Sequence, residues 1–315
     1  MHSLFHRLTS MQPDIFVRRL FVPRPLIPMP LPCPREIHFW YVLPNEVQNT
    51  SLLKQYLELL SPFERENILC MNGDKLQKGA LLSRALVRTT LARYTNSNAS
   101  PRSLKFRKST YGKPEVEWPC DRNWVPPPLH FNVSHTSSLI ACAVTADVPI
   151  GIDVEEKQRQ FHNSILSFSR RYFSPSEVEF LCSFSETETQ RQEFLKLWTL
   201  KEAYVKALGR GFSGAPFKDF AIQLKAKVMK DLSKPDELKI VVKPCRDTEV
   251  LTADWEFALF ELATSHYAAI CVKKNDTNGG MEEHPVGLKV WKVVPFVSDE
   301  CVSGTDQVIS ISGCS

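Results

Sequence analysis

The sequence contains no Cys-x-x-Cys pair, no apolar run long enough to cross a membrane, and no glycine-rich phosphate loop. Its nine cysteines are scattered and odd in number, which is typical of reduced thiols inside a cell and excludes a disulfide framework or a cysteine-rich zinc site. Without a phosphate loop, P-loop and dinucleotide-binding folds are unsupported. We therefore expect a protein without a membrane span, whose ligand site is built in another way.

The net charge is also small: the 315 residues carry a formal net charge of only +4 at pH 7. Of these residues, 43% are hydrophobic and 23% are charged. This balance does not indicate a nucleic-acid partner, although it is compatible with a locally basic pocket for a polyphosphate. The composition is that of a globular protein, and the length allows one large domain or two of moderate size.

Residues 1–35 differ from the rest of the chain. They are rich in arginine, contain Asp14 as their only acid, and place apolar residues at roughly helical spacing before a proline-rich stretch from Pro23 to Pro34. Such an arginine-rich, acid-poor, amphipathic segment is typical of a transit peptide. The alternative is a disordered extension of a cytosolic protein. We expect import into mitochondria, with plastids and cytosol as the other locations.

Strand and helix signals occur twice in the same order. A strand at 36–43 precedes a helix that opens Ser61-Pro-x-Glu64 and a long helix over about 74–94. Later, a helix opens Ser174-Pro-x-Glu177 and a long helix follows over about 187–208. The other predicted strands are 129–134, 138–145, 148–155, 219–225, 237–243, 254–261 and 266–273.

This repeat predicts an α+β fold with two similar halves, residues 36–146 and 147–273, that meet around 145–155. Ligand sites often lie where two such units meet. Residues 274–315 are polar and glycine-rich. We interpret them as a tail peripheral to the chemistry, with a short ordered patch at 287–297.

A predicted strand over Gly151-Ile-Asp-Val-Glu155 lies at this meeting point. Because side chains alternate along a strand, Asp153 and Glu155 share one face and the apolar residues between them face the core. The motif holds no base to neutralise the two carboxylates, which would raise each other's pKa unless a cation lies there. Oxygen ligands at this spacing suit Mg²⁺. On these two acids alone, a strand that runs into solvent is an equally good interpretation.

Three further residues are candidates for the same site. Glu202 and Lys206 lie one turn apart on the second long helix, beside Trp198 and its buried stripe. An ordinary solvated pair is the alternative, but a third carboxylate here would complete a metal site. His135 ends a predicted strand, and a purely structural histidine is the alternative for it.

Basic residues gather upstream of these motifs. Arg84 lies beside the apolar line of the first long helix, so its guanidinium is the best placed to grip a phosphate at the meeting point of the halves. Lys108 precedes a Tyr111-Gly-Lys-Pro114 turn and Lys113 lies within it; the glycine would let backbone approach a ligand closely. Ordinary solvated charge is the alternative for all of these cations.

Three ordered motifs resemble the signature of the 4′-phosphopantetheinyl transferases in their longer, two-lobed form: Phe131-Asn-Val-Ser-His135, Gly151-Ile-Asp-Val-Glu155 and Trp198-Thr-Leu-Lys-Glu-Ala-Tyr-Val-Lys206. Tyr111-Gly-Lys-Pro114 is similar to an upstream motif of that family. The resemblance covers roughly residues 36–273. It implies a pseudo-twofold α+β fold and transfer of the phosphopantetheine arm of coenzyme A to a serine of a carrier protein.

By motif position, the resemblance implies that Asp153, Glu155 and Glu202 hold Mg²⁺ against the coenzyme A pyrophosphate. Glu202 would also help to activate the carrier serine. Lys206 would neutralise or protonate the departing adenosine 3′,5′-bisphosphate, and His135 would contact the diphosphate or the 3′-phosphate.

The resemblance also implies that Arg84, Lys108 and Lys113 contact coenzyme A. The protein partner would be an acyl carrier protein or a peptidyl carrier, and duplicated halves in one chain predict a monomer. Two alternatives stay open: a non-catalytic member of the fold that binds coenzyme A or a carrier, and an acyltransferase that needs no metal. Chelation with EDTA separates the transferase from the acyltransferase, because acyl transfer would survive it.

Overall fold

Two β-sheets pack face to face at the centre of the molecule, and one long helix covers the outer face of each. The structure is a computed structural model that describes residues 24–118, 123–161, 164–211, 217–226, 238–245, 254–274 and 286–314. Helices and mainly antiparallel strands are mixed in these segments, which confirms the predicted α+β fold class. None of the helices in them is both long and apolar enough for a membrane crossing.

The strands are numbered in chain order: β1 (Glu36–Val42), β2 (Lys105–Lys108), β3 (Pro114–Glu117), β4 (Leu129–His135), β5 (Ile140–Ala146), β6 (Ile150–Glu156), β7 (Phe220–Ala226), β8 (Leu238–Pro244), β9 (Trp255–Leu262), β10 (His266–Lys273), β11 (Gly287–Val294), β12 (Ser298–Cys301) and β13 (Val308–Ser312). The α-helices are α1 (Thr50–Glu58), α2 (Pro62–Leu69), α3 (Asp74–Arg93), α4 (Ile165–Tyr172), α5 (Pro175–Cys182) and α6 (Thr187–Leu208).

The first sheet has the strand order β12-β11-β1-β5-β4, and the second has the order β13-β9-β10-β6. β11 runs parallel to β1, whereas the other pairs in both sheets are antiparallel. β2–β3 and β7–β8 form separate two-stranded hairpins. The edge strands β4 and β6 lie side by side, and we call this contact between the two sheets the seam.

Strand alternation explains how the layers form. In β1, Ile37, Phe39 and Tyr41 are buried between the two sheets, whereas Trp40 and Val42 face the layer that contains α3. α6 covers the opposite face of the second sheet with its own apolar stripe. The core therefore has three apolar layers, one between the sheets and one under each long helix.

The helix ends follow local signals in the sequence. Ser61 and Ser174 each accept the N–H of the third helical residue, and the glutamates at those positions, Glu64 and Glu177, accept the serine N–H in return. α6 ends at Gly209, whose φ of 64° lies in the left-handed region. The predicted capping boxes and the glycine stop are confirmed.

Among the described elements before residue 274, α1, α4 and the hairpin β2–β3 have no counterpart in the predicted order. The two helices have only 9 and 8 residues, and each hairpin strand has 4. Elements this short show too little periodicity for a pattern to identify them.

The prediction of a polar tail over 274–315 does not describe the fold of residues 286–314, where the predicted ordered patch at 287–297 contains β11. β11 pairs along the edge of β1, and β13 pairs with β9. Apolar residues on both faces of β11, among them Val290 and Val293, are buried. These strands satisfy backbone groups at two sheet edges that would otherwise be exposed. No residue of β11, β12 or β13 lines the two cavities described below.

The predicted extension 1–35 is too long. The N–H of Arg24 donates to the Phe296 carbonyl at 2.9 Å, and the N–H of Met29 donates to the Arg93 carbonyl at the same distance. Met29 also packs against the core under α3. Residues 24–35 therefore belong to the folded unit. Residues 1–23, which carry most of the transit-peptide signal, lie outside the described residues.

Candidate functional site

β6 and α6 touch at Gly151. A Cβ at this position would lie 2.1 Å from the carbonyl oxygen of Ala203 and 2.2 Å from the amide nitrogen of Ala207, so no larger residue fits without movement of the helix. Because glycine lets the helix backbone rest on the strand, the polar side chains of the two elements come together. Asp153 of β6 meets Lys206 of α6 in this way.

The two carboxylate oxygens of Asp153 have different surroundings. Oδ1 accepts hydrogen bonds from Ser134 Oγ at 2.8 Å and from Lys206 Nζ at 2.6 Å. Oδ2 is buried and has no hydrogen-bond partner among the described residues. A buried carboxylate oxygen without a partner is costly, so Oδ2 is the atom of this site that would gain most from a bound cation.

Glu155, on the same face of β6, is paired with a second cation. Arg159 Nη1 donates to its Oε1 at 2.5 Å. Burial nevertheless raises the pKa of Glu155, and the nearby Asp153 raises it further. The motif itself holds no base, as the sequence shows, and the cations come from outside it: α6 supplies Lys206 and the loop after β6 supplies Arg159.

Glu202 lies one helical turn before Lys206 and faces both acids of β6. Burial raises the pKa of Glu202 to about 7; Asp153 and Glu155 add to the rise, and Lys206 opposes it. At neutral pH this carboxyl is divided between its charged and neutral forms, which suits a group that accepts a proton.

These side chains line one cavity of about 430 Å³, which we call the acidic cavity. Its lining residues are Val133, Ser134, His135, Asp153, Val154, Glu155, Arg159, Trp198, Glu202 and Lys206. Within the described segments, no three His, Cys, Asp or Glu side chains are arranged to hold a metal ion as they stand. Two of the three carboxylates here are instead engaged with Lys206 and Arg159.

His135, at the end of β4, also faces the acidic cavity. Burial lowers its pKa, and the positive charge of Lys206 lowers it further, whereas Asp153 has the opposite effect. These effects favour the neutral imidazole over the charged ring. In this form it can donate one hydrogen bond to a ligand without adding charge.

A second cavity of about 650 Å³ adjoins the first, since Val133 lines both. We call it the basic cavity, because five of its lining residues are cations: Arg84, Arg88, Lys105, Arg107 and Lys108. The structure thus brings Arg84 and Lys108 together, but beside the carboxylates and not among them. The ring of Phe106 gives this cavity an apolar wall next to its charges.

The structure does not bring Lys113 to either cavity. Its Nζ donates to the carbonyl oxygens of Ile150 at 2.9 Å and Ala207 at 3.5 Å. Burial lowers the pKa of this amine to about 8. The Lys113 side chain therefore points toward the start of β6 and the end of α6, whereas Lys108 on the same hairpin lines the basic cavity.

Sequence reasoning missed Ser134 and Arg159. On β4, Asn132 Oδ1 accepts the N–H of Ile152 at 2.9 Å, and Ser134 Oγ accepts the N–H of Val154 at 3.2 Å. Two polar residues at alternate positions, separated by the apolar Val133, were the available signal for this contact. For Arg159, the spacing of four from Glu155 was the only signal, and it is common on protein surfaces.

Comparison with known proteins gives two family matches that meet near the start of β6. The family described as the 4′-phosphopantetheinyl transferase superfamily matches residues 149–271. The family described as 4′-phosphopantetheinyl transferase, N-terminal, matches residues 48–147. The first match contains the acids of β6 and α6, and the second contains the cations of the basic cavity.

Individual relatives agree with these matches. The chain is similar to a 4′-phosphopantetheinyl transferase of Bacillus subtilis, with 30% identity over 202 residues, covering 64% of this chain and 77% of that protein. It is also similar to the 4′-phosphopantetheinyl transferase Sfp of Bacillus subtilis strain 168, with 29% identity over 58% of this chain and 75% of that protein. A human relative, L-aminoadipate-semialdehyde dehydrogenase-phosphopantetheinyl transferase, is 27% identical over 69% of this chain and 68% of its own length.

Proposed function

Because this chain belongs to the 4′-phosphopantetheinyl transferase superfamily and is a transferase, we propose that it moves the phosphopantetheine arm of coenzyme A to a serine of an acyl or peptidyl carrier protein. The other product is adenosine 3′,5′-bisphosphate. The observation that carries the proposal is the meeting of Asp153, Glu202 and Lys206 in a cavity that adjoins a basic one. Phosphoryl transfer depends mainly on positioning and on neutralisation of charge, and these groups suit both tasks.

The donor atoms of the acidic cavity fit Mg²⁺. They are carboxylate oxygens, and one of them, Asp153 Oδ2, is buried without a partner among the described residues. We propose that Asp153, Glu155 and Glu202 hold the ion. Glu155 is the weakest member, because Arg159 already neutralises it. When bound, Mg²⁺ would offset negative charge on the pyrophosphate of coenzyme A.

The side chains of the acidic cavity would then divide the reaction between them. Glu202 would help to take the proton of the carrier serine as the serine oxygen forms the new bond to phosphorus. Lys206 would neutralise the phosphate that leaves with the adenosine bisphosphate when the old oxygen–phosphorus bond breaks. His135 would donate a hydrogen bond to a phosphate oxygen.

The basic cavity would take the nucleotide end of coenzyme A. Its cations, including Arg84 and Lys108, can neutralise the 3′-phosphate, and a guanidinium can bind it through two parallel hydrogen bonds. Phe106 offers an apolar surface for the base. This arrangement would direct the pyrophosphate past Val133 and toward Lys206.

The test is to incubate the full chain with Mg²⁺, a fluorescent coenzyme A analogue and an acyl carrier protein. We expect labelling by the natural protein, and a loss of roughly a thousandfold or more in Asp153→Ala and Glu202→Ala. Glu193→Ala is the matched control, because Glu193 lies on α6 outside both cavities and pairs with Lys196. Circular dichroism would establish that the variants fold. Full labelling by either site variant would contradict the assignment.

Chelation distinguishes this function from its rivals. EDTA should abolish labelling, and added Mg²⁺ should restore it. A metal-independent acyltransferase would move the acyl group of acyl-coenzyme A with EDTA present. A non-catalytic binding protein would retain coenzyme A but would label no carrier, whichever carrier is supplied.

The carrier, the compartment and the oligomeric state are further parts of the proposal. We propose an acyl carrier of fatty acid biosynthesis as the partner, mitochondrial import through residues 1–23, and a monomer in solution. Comparing mitochondrial, plastid and cytosolic carriers as substrates tests the first. A reporter fused to residues 1–35 tests the second, and a diffuse cytosolic signal would contradict it. Light scattering of the purified protein tests the third.

A further inference from the structure

The hairpin β2–β3 forms part of the basic cavity but also contacts the end of α6. Lys105, Arg107 and Lys108 of this hairpin line the cavity. The turn between its strands rests instead on the residues that end α6, since a Cβ on Gly209 would lie 3.4 Å from Lys113 Cδ and one on Gly211 would lie 4.0 Å from Tyr111 Cβ. The strands and the turn of the hairpin therefore contact different neighbours.

Lys113 makes the polar part of this second contact. Its ammonium donates to the Ile150 carbonyl, at the first residue of β6, and to the Ala207 carbonyl, in the last turn of α6. A cation at this end of a helix also offsets the partial negative charge of the last carbonyls. One side chain of the first half thus holds the two elements that carry Asp153, Glu202 and Lys206.

The position of Ala207 explains how its hydrogen bond with Lys113 can affect the catalytic residues. Ala207 directly follows Lys206, and its backbone is among the nearest atoms to Gly151. The α6–β6 contact at Gly151 allows little movement in the direction of the strand, but nothing in that contact prevents the last turn of the helix from moving outward. The bond from Lys113 to the Ala207 carbonyl opposes that outward movement.

We propose that Lys113 is a positioning residue of the transferase reaction, which acts by holding the last turn of α6 and the start of β6 in place and not by binding coenzyme A. This inference rests on the proposed function. The amine faces two backbone carbonyls and lines neither cavity, which separates it from Lys108, five residues earlier on the same hairpin. Small displacements of catalytic groups lower rates strongly, so a loss of this bond would lower kcat.

The experiment compares Lys113→Met, which keeps the apolar stem and removes the donor, with Lys108→Met as the matched control on the same hairpin. For Lys113→Met we expect kcat of carrier labelling to fall about tenfold or more, with the KM for coenzyme A changed less than about twofold. For Lys108→Met we expect the reverse: a KM raised about fivefold or more and little change in kcat. Lys113→Arg should recover most of the lost kcat, because a guanidinium can also donate to two carbonyls.

Hydrogen exchange gives a readout independent of activity. In Lys113→Met the amides of the last turn of α6, including that of Gly209, should exchange about tenfold faster, with those of α3 unchanged. If Lys113→Met does not fold, Lys113→Gln, whose shorter amide cannot reach both carbonyls, should show the same pattern. A raised KM with unchanged kcat and unchanged exchange would overturn the inference. If the natural protein labels no carrier, the proposed function is overturned instead. The exchange rates would still test whether Lys113 holds the last turn of α6.

Discussion

The two halves of the molecule share a scaffold, and comparing them shows how one scaffold serves two purposes. In the first half, Glu64 of a capping box pairs with Arg88, and in the second half Glu177 pairs with Lys201; in both, the cation follows the glutamate by 24 positions. Glu64 is 20% exposed and borders the basic cavity, whereas Lys201 and Glu177 are 0% and 1% exposed. The fully buried pair fixes the helix that carries Glu202, the next residue in the chain.

A second pair of positions has the same spacing in both halves, but the residues that occupy it differ in chemistry. Asp153 and Lys206 are 53 positions apart and form an ion pair at 2.6 Å beside the acidic cavity. Trp40 and Arg93 have the same separation, and there the guanidinium lies 5.2 Å from the centre of the indole ring while pairing with Asp299. In the first half the position is filled by an aromatic ring and serves packing. In the second half it is open to a ligand and serves charge.

We expect the largest effects from replacing Lys206 in the second half and Arg93 in the first, because one serves catalysis and the other serves packing. Lys206→Met should lower the carrier-labelling rate by roughly a thousandfold, which corresponds to about 4 kcal/mol in the barrier, because the leaving phosphate loses its cation. Arg93→Met should instead lower the free energy of unfolding by about 2 to 3 kcal/mol and leave the rate per folded molecule unchanged. The measurements are labelling kinetics and urea unfolding.

Mg²⁺ provides the control for this comparison. Without the ion, Lys206→Met should also lose stability, because the buried carboxylate of Asp153 then lacks its cation. Added Mg²⁺ should restore the stability of Lys206→Met and should not restore that of Arg93→Met. Equal loss of activity in the two variants would contradict the division between the halves.

The two capping-box pairs should differ in their contribution to stability. Lys201→Met should lower the free energy of unfolding by about 3 to 4 kcal/mol, because it leaves the Glu177 carboxylate buried and unpaired. Arg88→Met should cost about 1 to 3 kcal/mol, since Glu64 keeps access to water and its bonds to Ser61. Urea unfolding measures both. Equal losses, or a larger loss for Arg88→Met, would show that burial does not distinguish the pairs.

Replacing one glycine in each half tests how closely the long helices pack, and we expect smaller effects than those above. Gly151→Ala should lower the free energy of unfolding by about 3 kcal/mol, because the new methyl group collides with the backbone of α6. Gly79→Ala is the control: this residue lies inside α3 with nothing within 4 Å of an added Cβ, so alanine should stabilise by up to about 1 kcal/mol. A neutral effect of Gly151→Ala would disprove the close contact of α6 with β6.

The acidic cavity should also make stability depend on pH in a way that the first half does not. The pKa of Glu202 rises from 4.5 to about 7 on folding without metal, so the folded state holds this proton more tightly than the unfolded state. Its contribution to stability is therefore present below pH 4.5 and is lost as the pH rises through about 7. The pKa of Glu64 is lowered, so its contribution is present above 4.5 and is lost as the pH falls.

Glu202→Gln should remove the first dependence. In EDTA, the free energy of unfolding of the variant minus that of the natural protein should increase by about 2 kcal/mol from pH 5 to pH 8. Urea unfolding at the two pH values measures this difference. Glu193→Gln, on the same helix outside the cavities, is the control and should follow the natural protein. A parallel pH profile for the natural protein and Glu202→Gln would contradict the raised pKa.

Local signals account for what the sequence predicted well. The capping boxes at Ser61 and Ser174, the stop at Gly209 and the strand that carries Asp153 depend on residues close together in the chain. The three motifs that resemble the family also carry Glu202, Lys206 and the acids of β6 themselves. For these features, spacing along the chain was sufficient.

The errors share a physical cause. β11 and β13 were not predicted as sheet strands, because pairing with β1 and β9 depends on strand edges far away in the sequence. The sequence did not predict that Lys113 donates to two carbonyls of the second half, because those carbonyls lie far from it in the chain. Arg159 was missed because its spacing from Glu155 also occurs on ordinary surfaces.

The sequence by itself determined the order of elements, the α+β class, the likeness to the transferase family and the identity of the acids, since periodicity, capping and motif spacing are local properties. Only the tertiary structure decided which cation neutralises which acid, which strands cover the sheet edges, and that Lys113 holds α6. These are contacts between elements. One of them depends directly on Gly151 of β6, whose missing side chain lets α6 rest on the strand.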